Sequence, residues 1–174
     1  MILGLGLLSA CRDESILVYD PPTQGVLGFY AYMVDEPVTS ITVAQGTTTA
    51  TYKFTPEIVG GTESEVDKFE ILAEMVDATG VTVPGKDRKL VGSVTAFPVD
   101  ATSKKPRGTI TITAAQLNTA VGLTAPDYIA GRSIIFHEKL TMKTRGFIDE
   151  TNVNLNLTTV AYKSPFYHAV LIKP

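Results

Sequence analysis

Three features of the sequence predict an all-β protein. β-branched and aromatic residues alternate with polar residues over most of the chain after residue 25, which is the pattern of half-buried strands. Glycine, proline and aspartate interrupt this pattern about every ten residues, as turns do between short strands. Only one segment carries the start and stop signals of a helix. The sequence therefore predicts an antiparallel, immunoglobulin-like β-sandwich of about seven to nine strands with one short helix. A closed barrel is the alternative.

The strands are predicted from alternation and from the turns that bound them. The run from Phe69 to Asp77 also fits a helix by periodicity, but every second residue from Phe69 to Met75 is apolar and a turn follows at 78–80, so we predict a strand. Gln45 and Gly46 are predicted to form a turn. The predicted strands cover residues 26–34, 38–44, 47–55, 69–77, 89–97, 107–112, 132–142, 153–158 and 166–172.

The one predicted helix spans residues 114–121. Thr113 precedes it as an N-cap, and Gln116 stands at the position that completes a capping box. Gly122 follows the last turn, where glycine ends many helices. Four residues of the next strand are predicted to share one face: Ile134, Phe136, Glu138 and Leu140.

Composition limits the classes of function. The 174 residues suit one domain, which we assign to residues 26–174, and 44% hydrophobic with 19% charged residues can bury a core. The net charge of −3 offers no basic face for nucleic acid. The single cysteine excludes internal disulfides and cysteine-rich metal sites.

The only cysteine, Cys11, ends an apolar run that begins at Met1. Leu8, Ser9 and Ala10 precede it, and this order resembles the lipobox of bacterial lipoproteins, in which the cysteine is acylated and becomes the mature N-terminus. The run is shorter than the roughly 20 residues that span a bilayer, but it has the length of a secretory apolar region. The alternative is a buried N-terminal strand.

The lipobox resemblance implies a division of the chain. Residues 1–10 would be a signal peptide that is cleaved, and residues 11–25 a tether rich in charge, proline and glycine. The acyl chains on Cys11 would anchor the protein in membrane lipid without spanning it. We therefore expect a lipid-anchored protein of the outer membrane, at the cell surface.

Chemistry-bearing residues are scattered. His137 and His168 lie on separate predicted strands without a metal-binding or catalytic motif, so we expect two histidines at the surface or at a sheet edge. Glu70 and Glu74 would share a strand face about 13 Å apart, which is too far for a glycosidase pair. We predict no catalytic residue, no metal site and no cofactor. A solvated face is the better interpretation of Glu70 and Glu74. They belong to a scattered set of carboxylates that has no catalytic spacing: Glu57, Glu63, Glu65, Asp67, Glu70 and Glu74.

Five residues near the C-terminus are the candidate binding residues. Tyr162, Phe166 and Tyr167 form an aromatic group, and aromatic rings bind sugars or line interfaces. Asn154 and Asn156 alternate on one face of the predicted strand 153–158, where they could hydrogen-bond a ligand or a partner strand.

Three stretches carry a family resemblance. LVGSVTAFP at 90–98, PRGTITITAAQL at 106–117 and SPFY at 164–167 are similar in order to outer-membrane lipoproteins of Bacteroidota with immunoglobulin-like β-sandwich domains. The similarity covers most of residues 66–172. It implies an accessory or glycan-binding surface subunit beside TonB-dependent transporters of the starch-utilisation type, and it brings no catalytic residues.

The predicted function follows from the anchor, the fold and the resemblance. We expect a protein without enzymatic activity that binds other outer-membrane proteins as an accessory subunit of a surface complex. The alternative is a lipoprotein that binds a polysaccharide for a TonB-dependent uptake system, although the chain has no tryptophan for a sugar platform.

Overall fold

The computed structural model describes residues 29–35, 38–153 and 166–174, and ten strands lie within them. The strands are β1 (Tyr30–Met33), β2 (Ser40–Thr42), β3 (Thr51–Phe54), β4 (Pro56–Val59), β5 (Val66–Val76), β6 (Lys89–Val94), β7 (Ile110–Thr113), β8 (Ser133–Met142), β9 (Gly146–Ile148) and β10 (Tyr167–Lys173). The α-helices in the same residues are α1 (Val43–Thr48) and α2 (Ala114–Val121). The β-rich prediction is confirmed.

The strands form one large sheet and two short ladders. The large sheet has the order β2-β10-β8-β5-β6, and β9 pairs with the C-terminal end of β8. Its pairs are antiparallel except β2 with β10, which run parallel. The short ladders pair β1 with β4 and β3 with β7, both antiparallel. Only Thr55 separates β3 from β4, so this part of the chain pairs first with β7 and then with β1.

The short ladders and the large sheet share one core. Phe136 of β8 lies against two aromatic rings of β3, with ring centroids 4.9 Å from Tyr52 and 5.2 Å from Phe54. Phe69 of β5 and Ile58 of β4 are fully buried in the same cluster. Burying aromatic and branched side chains between the layers supplies most of the stabilisation, at roughly 25 cal/mol per Å² of apolar surface.

Helix α2 has the predicted bounds and the predicted caps. The backbone N–H of Gln116 donates to the Thr113 hydroxyl at 3.3 Å, and the Gln116 side chain accepts from the Thr113 N–H at 2.8 Å. Gly122 ends the helix with φ of 74°, a conformation that costs glycine little. Leu117 turns into the core.

The prediction of a single helix is wrong, because α1 replaces the end of the strand predicted over 38–44. Thr42 and Gln45 form the same capping box that begins α2. The predicted turn at Gln45 and Gly46 therefore lies inside a helix. Gly46 contacts the ring of Tyr128, and a Cβ atom at this position would overlap that ring. The close approach of the helix to Tyr128 explains why a glycine occupies a helical position.

The other strand predictions differ mainly at their ends. β1, β3 and β7 are shorter than predicted, and β5 begins at Val66, three residues earlier than expected. The short strands β4 and β9 were not predicted. The predicted strand 153–158 lies outside the described residues except for Val153, which packs against the core.

Candidate functional site

The large sheet turns one face away from the core, and we call it the outer face. Directly opposed residues of antiparallel strands share a face. Tyr167 of β10 lies opposite His137 of β8, His137 lies opposite Leu72 of β5, and Leu72 lies opposite Leu90 of β6. These four residues form one row across four strands. Phe136, the neighbour of His137, points the other way into the core.

The outer face exposes large apolar side chains. Tyr167 is 56% exposed, Leu90 52%, Leu171 41% and Phe147 40%. Phe147 of β9 lies beneath the Lys139 ammonium, which is 4.0 Å from the ring centroid. The other exposed large apolar side chains among the described residues lie outside the strands of the large sheet: Val38, Val81, Val99 and Ile129. Among the described residues, the exposed large apolar side chains that share one surface are therefore those of the outer face.

An ionic cluster around the buried side chain of His137 occupies the centre of the outer face. His137 Nε2 lies 2.8 Å from Glu74 Oε1, and His137 Nδ1 lies 2.9 Å from Glu150 Oε1. Arg88 Nη1 donates to the same Glu150 oxygen at 2.7 Å. The hydroxyl of Thr82 donates to Glu74 Oε2 at 2.8 Å. Burial raises the pKa of Glu74, but the hydrogen bonds from Thr82 and His137 more than offset this and lower it.

The cluster has the residue types of an acid–base or metal site but not its geometry. A general base needs a ring nitrogen that can reach a substrate, but Nε2 of His137 is hydrogen-bonded to Glu74 and Nδ1 is buried. Within the described ranges, no group of three or more histidine, cysteine, aspartate or glutamate side chains could hold a metal ion. The expectation of surface or edge histidines is wrong for His137, which is buried.

A second ionisable pair lies behind the cluster, on the core side of β8. Glu138 Oε1 and His168 Nδ1 are 2.9 Å apart, and Glu138 is fully buried. Burial and the nearby charge of Glu150 raise the pKa of Glu138 well above its usual value. Burial lowers the pKa of His168 to about 4. Both shifts favour the uncharged forms, so burial works against an ion pair between Glu138 and His168.

Glu57 of β4 is, with Glu138, one of the two buried carboxylates among the described residues. Ser103 donates to Glu57 Oε2 at 2.6 Å, Arg107 Nε donates at 3.0 Å, and the Tyr32 hydroxyl donates to Oε1. Asp100 binds Arg107 from the other side at 2.9 Å. Burial raises the pKa of Glu57, but the hydrogen bonds from Ser103, Tyr32 and Arg107 hold it below its usual value. These contacts of Glu57 hold the loop between β6 and β7 against β4.

The structure separates two of the predicted binding residues. Tyr167 is exposed on the outer face, and its ring lies edge-on to His137 with centroids 5.6 Å apart. Phe166 is buried in the core, so it cannot line a binding surface without unfolding. The remaining predicted site residues lie outside the described residues: Leu8, Ser9, Ala10, Cys11, Asn154, Asn156 and Tyr162.

Comparisons with known proteins add no family. No family model matches the chain, and no curated protein matches it. Among the described residues, no helix has the length and hydropathy needed to cross a membrane.

Proposed function

We propose that this protein is a lipid-anchored, immunoglobulin-like β-sandwich of the outer membrane that binds another protein through its outer face. The exposed apolar side chains of that face carry the proposal. Tyr167, Leu90, Leu171 and Phe147 project from one side of a sheet, and protein interfaces favour such apolar and aromatic surfaces.

The sheet order supports the immunoglobulin-like part of the proposal. In variable-type domains a sheet of order G-F-C-C′ faces a second sheet that contains strands A, B and E. The order β10-β8-β5-β6 corresponds to the first, while β1, the continuous β3–β4 segment and β7 correspond to the second. Tyr128 lies between β7 and β8, where these domains have a tyrosine corner, and its hydroxyl donates to Asn118 at 2.5 Å.

The ionic cluster supports a binding role rather than an enzymatic one. His137 Nε2 is hydrogen-bonded to Glu74, which also contacts Arg88, and His137 Nδ1 is buried 2.9 Å from Glu150. Catalysis would require these contacts to break before a substrate could be protonated or deprotonated.

The first test compares matched charge substitutions. We expect Leu90→Glu and Leu171→Glu each to reduce, by at least about tenfold, the amount of a stoichiometric partner that co-purifies with the full chain from detergent-solubilised outer membranes. Val81→Glu and Val99→Glu place the same charge at exposed apolar positions elsewhere, so they should leave the partner bound. Equal recovery of the partner with all four variants would contradict the docking role of the outer face.

The exposed ring of Tyr167 favours a second candidate, glycan binding. The exposed ring of Tyr167, which lies beside the polar side chain of His137, could stack on a sugar ring. Affinity electrophoresis against polysaccharides distinguishes the two. Retardation of the wild type that Tyr167→Ala abolishes, and that Leu90→Glu leaves intact, would replace the protein-binding proposal with this one.

The anchor is tested separately. Cys11 follows Leu8, Ser9 and Ala10, and the order of these four residues supports acylation. We expect Cys11→Ser to move the full chain from the detergent phase to the aqueous phase and to abolish incorporation of labelled palmitate, because the acyl chains supply the membrane affinity. Ser15→Ala, just beyond the lipobox, should change neither. A wild-type protein found in the aqueous phase would disprove the anchor.

A further inference from the structure

The pairing of β5 with β6 determines which backbone groups of β6 are free. N–H and C=O groups alternate in direction along a strand. Met75 of β5 accepts a hydrogen bond at 2.8 Å from Val83, in the segment that leads to β6, so the residues four and six positions before Met75 also point to β6. Gly92 and Val94 of β6 lie opposite these two residues. Ser93, which stands between Gly92 and Val94, therefore directs its N–H and C=O away from β5.

The edge of β6 is open in the part of the chain that the structure describes. β6 is the terminal strand of the large sheet, and the backbone groups of Ser93 form no hydrogen bond within the described ranges. Edge strands are usually protected by charge, by proline or by being very short. The opposite edge is protected in this way, because β2 has three residues and continues directly into α1. β6 has neither a charge nor a proline after Lys89, and its irregular pairing with β5 lies before Gly92.

The elements beside this edge also lack charged residues. β6 lies over β7, since a Cβ atom on Gly92 would be 3.1 Å from the Ile110 side chain, and α2 packs against both strands. Residues 90–99 and 108–126 contain no aspartate, glutamate, lysine or arginine, although 19% of the chain is charged. We call β6 from Leu90 onward, β7 and α2 the neutral flank. The centres of protein interfaces are depleted of charged residues in the same way, because a charge is costly to remove from water.

The topology and the charge of the neutral flank favour a second copy of the chain as its occupant. β6 and β7 are each the last strand of their sheet, and they lie one over the other. A single extended peptide could pair with only one of these two edges, whereas the same flank of a second copy presents two edges with the same spacing. Antiparallel pairing of identical strands also satisfies a two-fold axis. With the axis at Ser93, the two Lys89 residues would lie about 25 Å apart, so no like charges meet.

We propose that two copies of this chain associate through the neutral flank, with their β6 strands paired antiparallel about a two-fold axis at Ser93. The N–H of each Ser93 donates to the carbonyl oxygen of Ser93 in the second copy. The two large sheets become one continuous sheet, and the two outer faces lie side by side. The inference goes beyond the proposed function and does not depend on it, because the outer face stays exposed in this dimer.

Sedimentation velocity of the full chain tests the association, with Cys11→Ser present so that acyl chains do not contribute. We expect monomers to become dimers between about 1 μM and about 1 mM, as suits a small interface. A chain that stays monomeric over this range would disprove the proposal.

Substitutions at Ser93 locate the interface. Ser93→Pro removes the free N–H and is tolerated at a sheet edge, and Ser93→Lys places two ammonium groups at the axis. Each should weaken association by at least about tenfold, because a symmetric pair of hydrogen bonds is lost or two like charges meet. Thr39→Lys adds the same charge at an exposed position near the opposite edge and should have no effect. Leu171→Glu should also leave the dimer intact, which separates this interface from docking at the outer face.

Amide hydrogen exchange examines the edge residue by residue. The N–H groups of Gly92 and Val94 point to β5 and should be protected at every concentration. The N–H of Ser93 should exchange freely in the monomer and at least about tenfold more slowly in the dimer. A dimer that leaves Ser93 unprotected, or that persists in both Ser93 variants, would overturn the proposed interface. Protection of Ser93 in the monomer would mean that another segment of the same chain covers the edge, and it would overturn the proposal as well.

Discussion

Replacing Glu57 with glutamine is expected to lower the free energy of unfolding by about 3 kcal/mol at pH 7, as loss of one partner of a buried ion pair does. The carboxylate is fully buried and accepts hydrogen bonds from Tyr32, Ser103 and Arg107. A neutral amide would leave the Arg107 guanidinium with only Asp100 as its charged partner and would bring an N–H₂ group against these donors. Urea denaturation followed by circular dichroism measures the loss.

The effect of Glu57 depends on pH in a defined direction. Because the folded-state pKa of Glu57 is lowered, its stabilisation is complete above the unfolded value of 4.5 and is lost as the pH falls through the folded value. The difference between wild type and Glu57→Gln should therefore shrink below pH 4.5. Glu63→Gln removes an exposed carboxylate of the neighbouring segment and should cost less than about 0.5 kcal/mol. Equal stabilities of the two variants at pH 7 would contradict the importance of the Glu57 cluster.

The Glu138–His168 pair is expected to give the protein its greatest stability at mildly acidic pH. The raised pKa of Glu138 means that its contribution is complete below the unfolded value of 4.5 and is lost as the pH rises towards the folded value. The lowered pKa of His168 means that its contribution is complete above the unfolded value of 6.5 and is lost as the pH falls towards about 4. Between 4.5 and 6.5 the two contributions change with pH in opposite directions, so they offset each other there.

Two variants separate the contributions of Glu138 and His168 to the dependence of stability on pH. In Glu138→Gln, His168 is the member of the pair that still titrates. The free energy of unfolding of this variant, relative to that of the wild type, should rise by about 3 kcal/mol between pH 4 and 6.5 and then stay level. At pH 8 the same variant should be more stable than the wild type, because a glutamine does not carry the cost of holding the buried Glu138 carboxyl protonated at a pH where the unfolded chain ionises it. His168→Gln should instead lose stability as the pH rises above 4.5. Thermal or urea unfolding across pH 4 to 9 measures both curves.

An NMR spectrum supplies the control for this pair. The ring of His168 should show the signals of a neutral imidazole at pH 6. Imidazolium signals at that pH would mean that the pair is an ion pair, and the predicted opposite curves of Glu138→Gln and His168→Gln would then fail.

Local patterns were sufficient for much of the fold. The alternation from Phe69 to Met75 predicted β5, and the Thr113 and Gln116 pair with Gly122 predicted α2 with its bounds. The same capping pattern at Thr42 and Gln45 was available in the sequence and would have predicted α1. It was missed because the helix has six residues and its glycine resembles a turn signal.

The sequence predicted which sheet face a residue occupies better than it predicted which residues it contacts. Alternation placed Glu138 on the same strand face as Phe136, and the structure buries both. The sequence offered no sign that Glu138 would meet His168, because strand pairing between β8 and β10 brings them together. The expectation that His137 lies at the surface was wrong for the same reason. Alternation identified the face of His137, but the side chains of Glu74 and Glu150, which cover it, come from other parts of the chain.

The sequence by itself determined the β-rich class, the positions of most strands and the capped helix α2, because each depends on residues two to four apart. Only the tertiary structure decided which side chains form the clusters and which apolar residues stay exposed. Glu57 meets Ser103 across 46 residues, and Glu74 meets His137 across 63. Such contacts depend on the register of paired strands, where a shift of one residue would turn every side chain to the opposite face. The outer face and its ionic cluster are therefore properties of the assembled sheet.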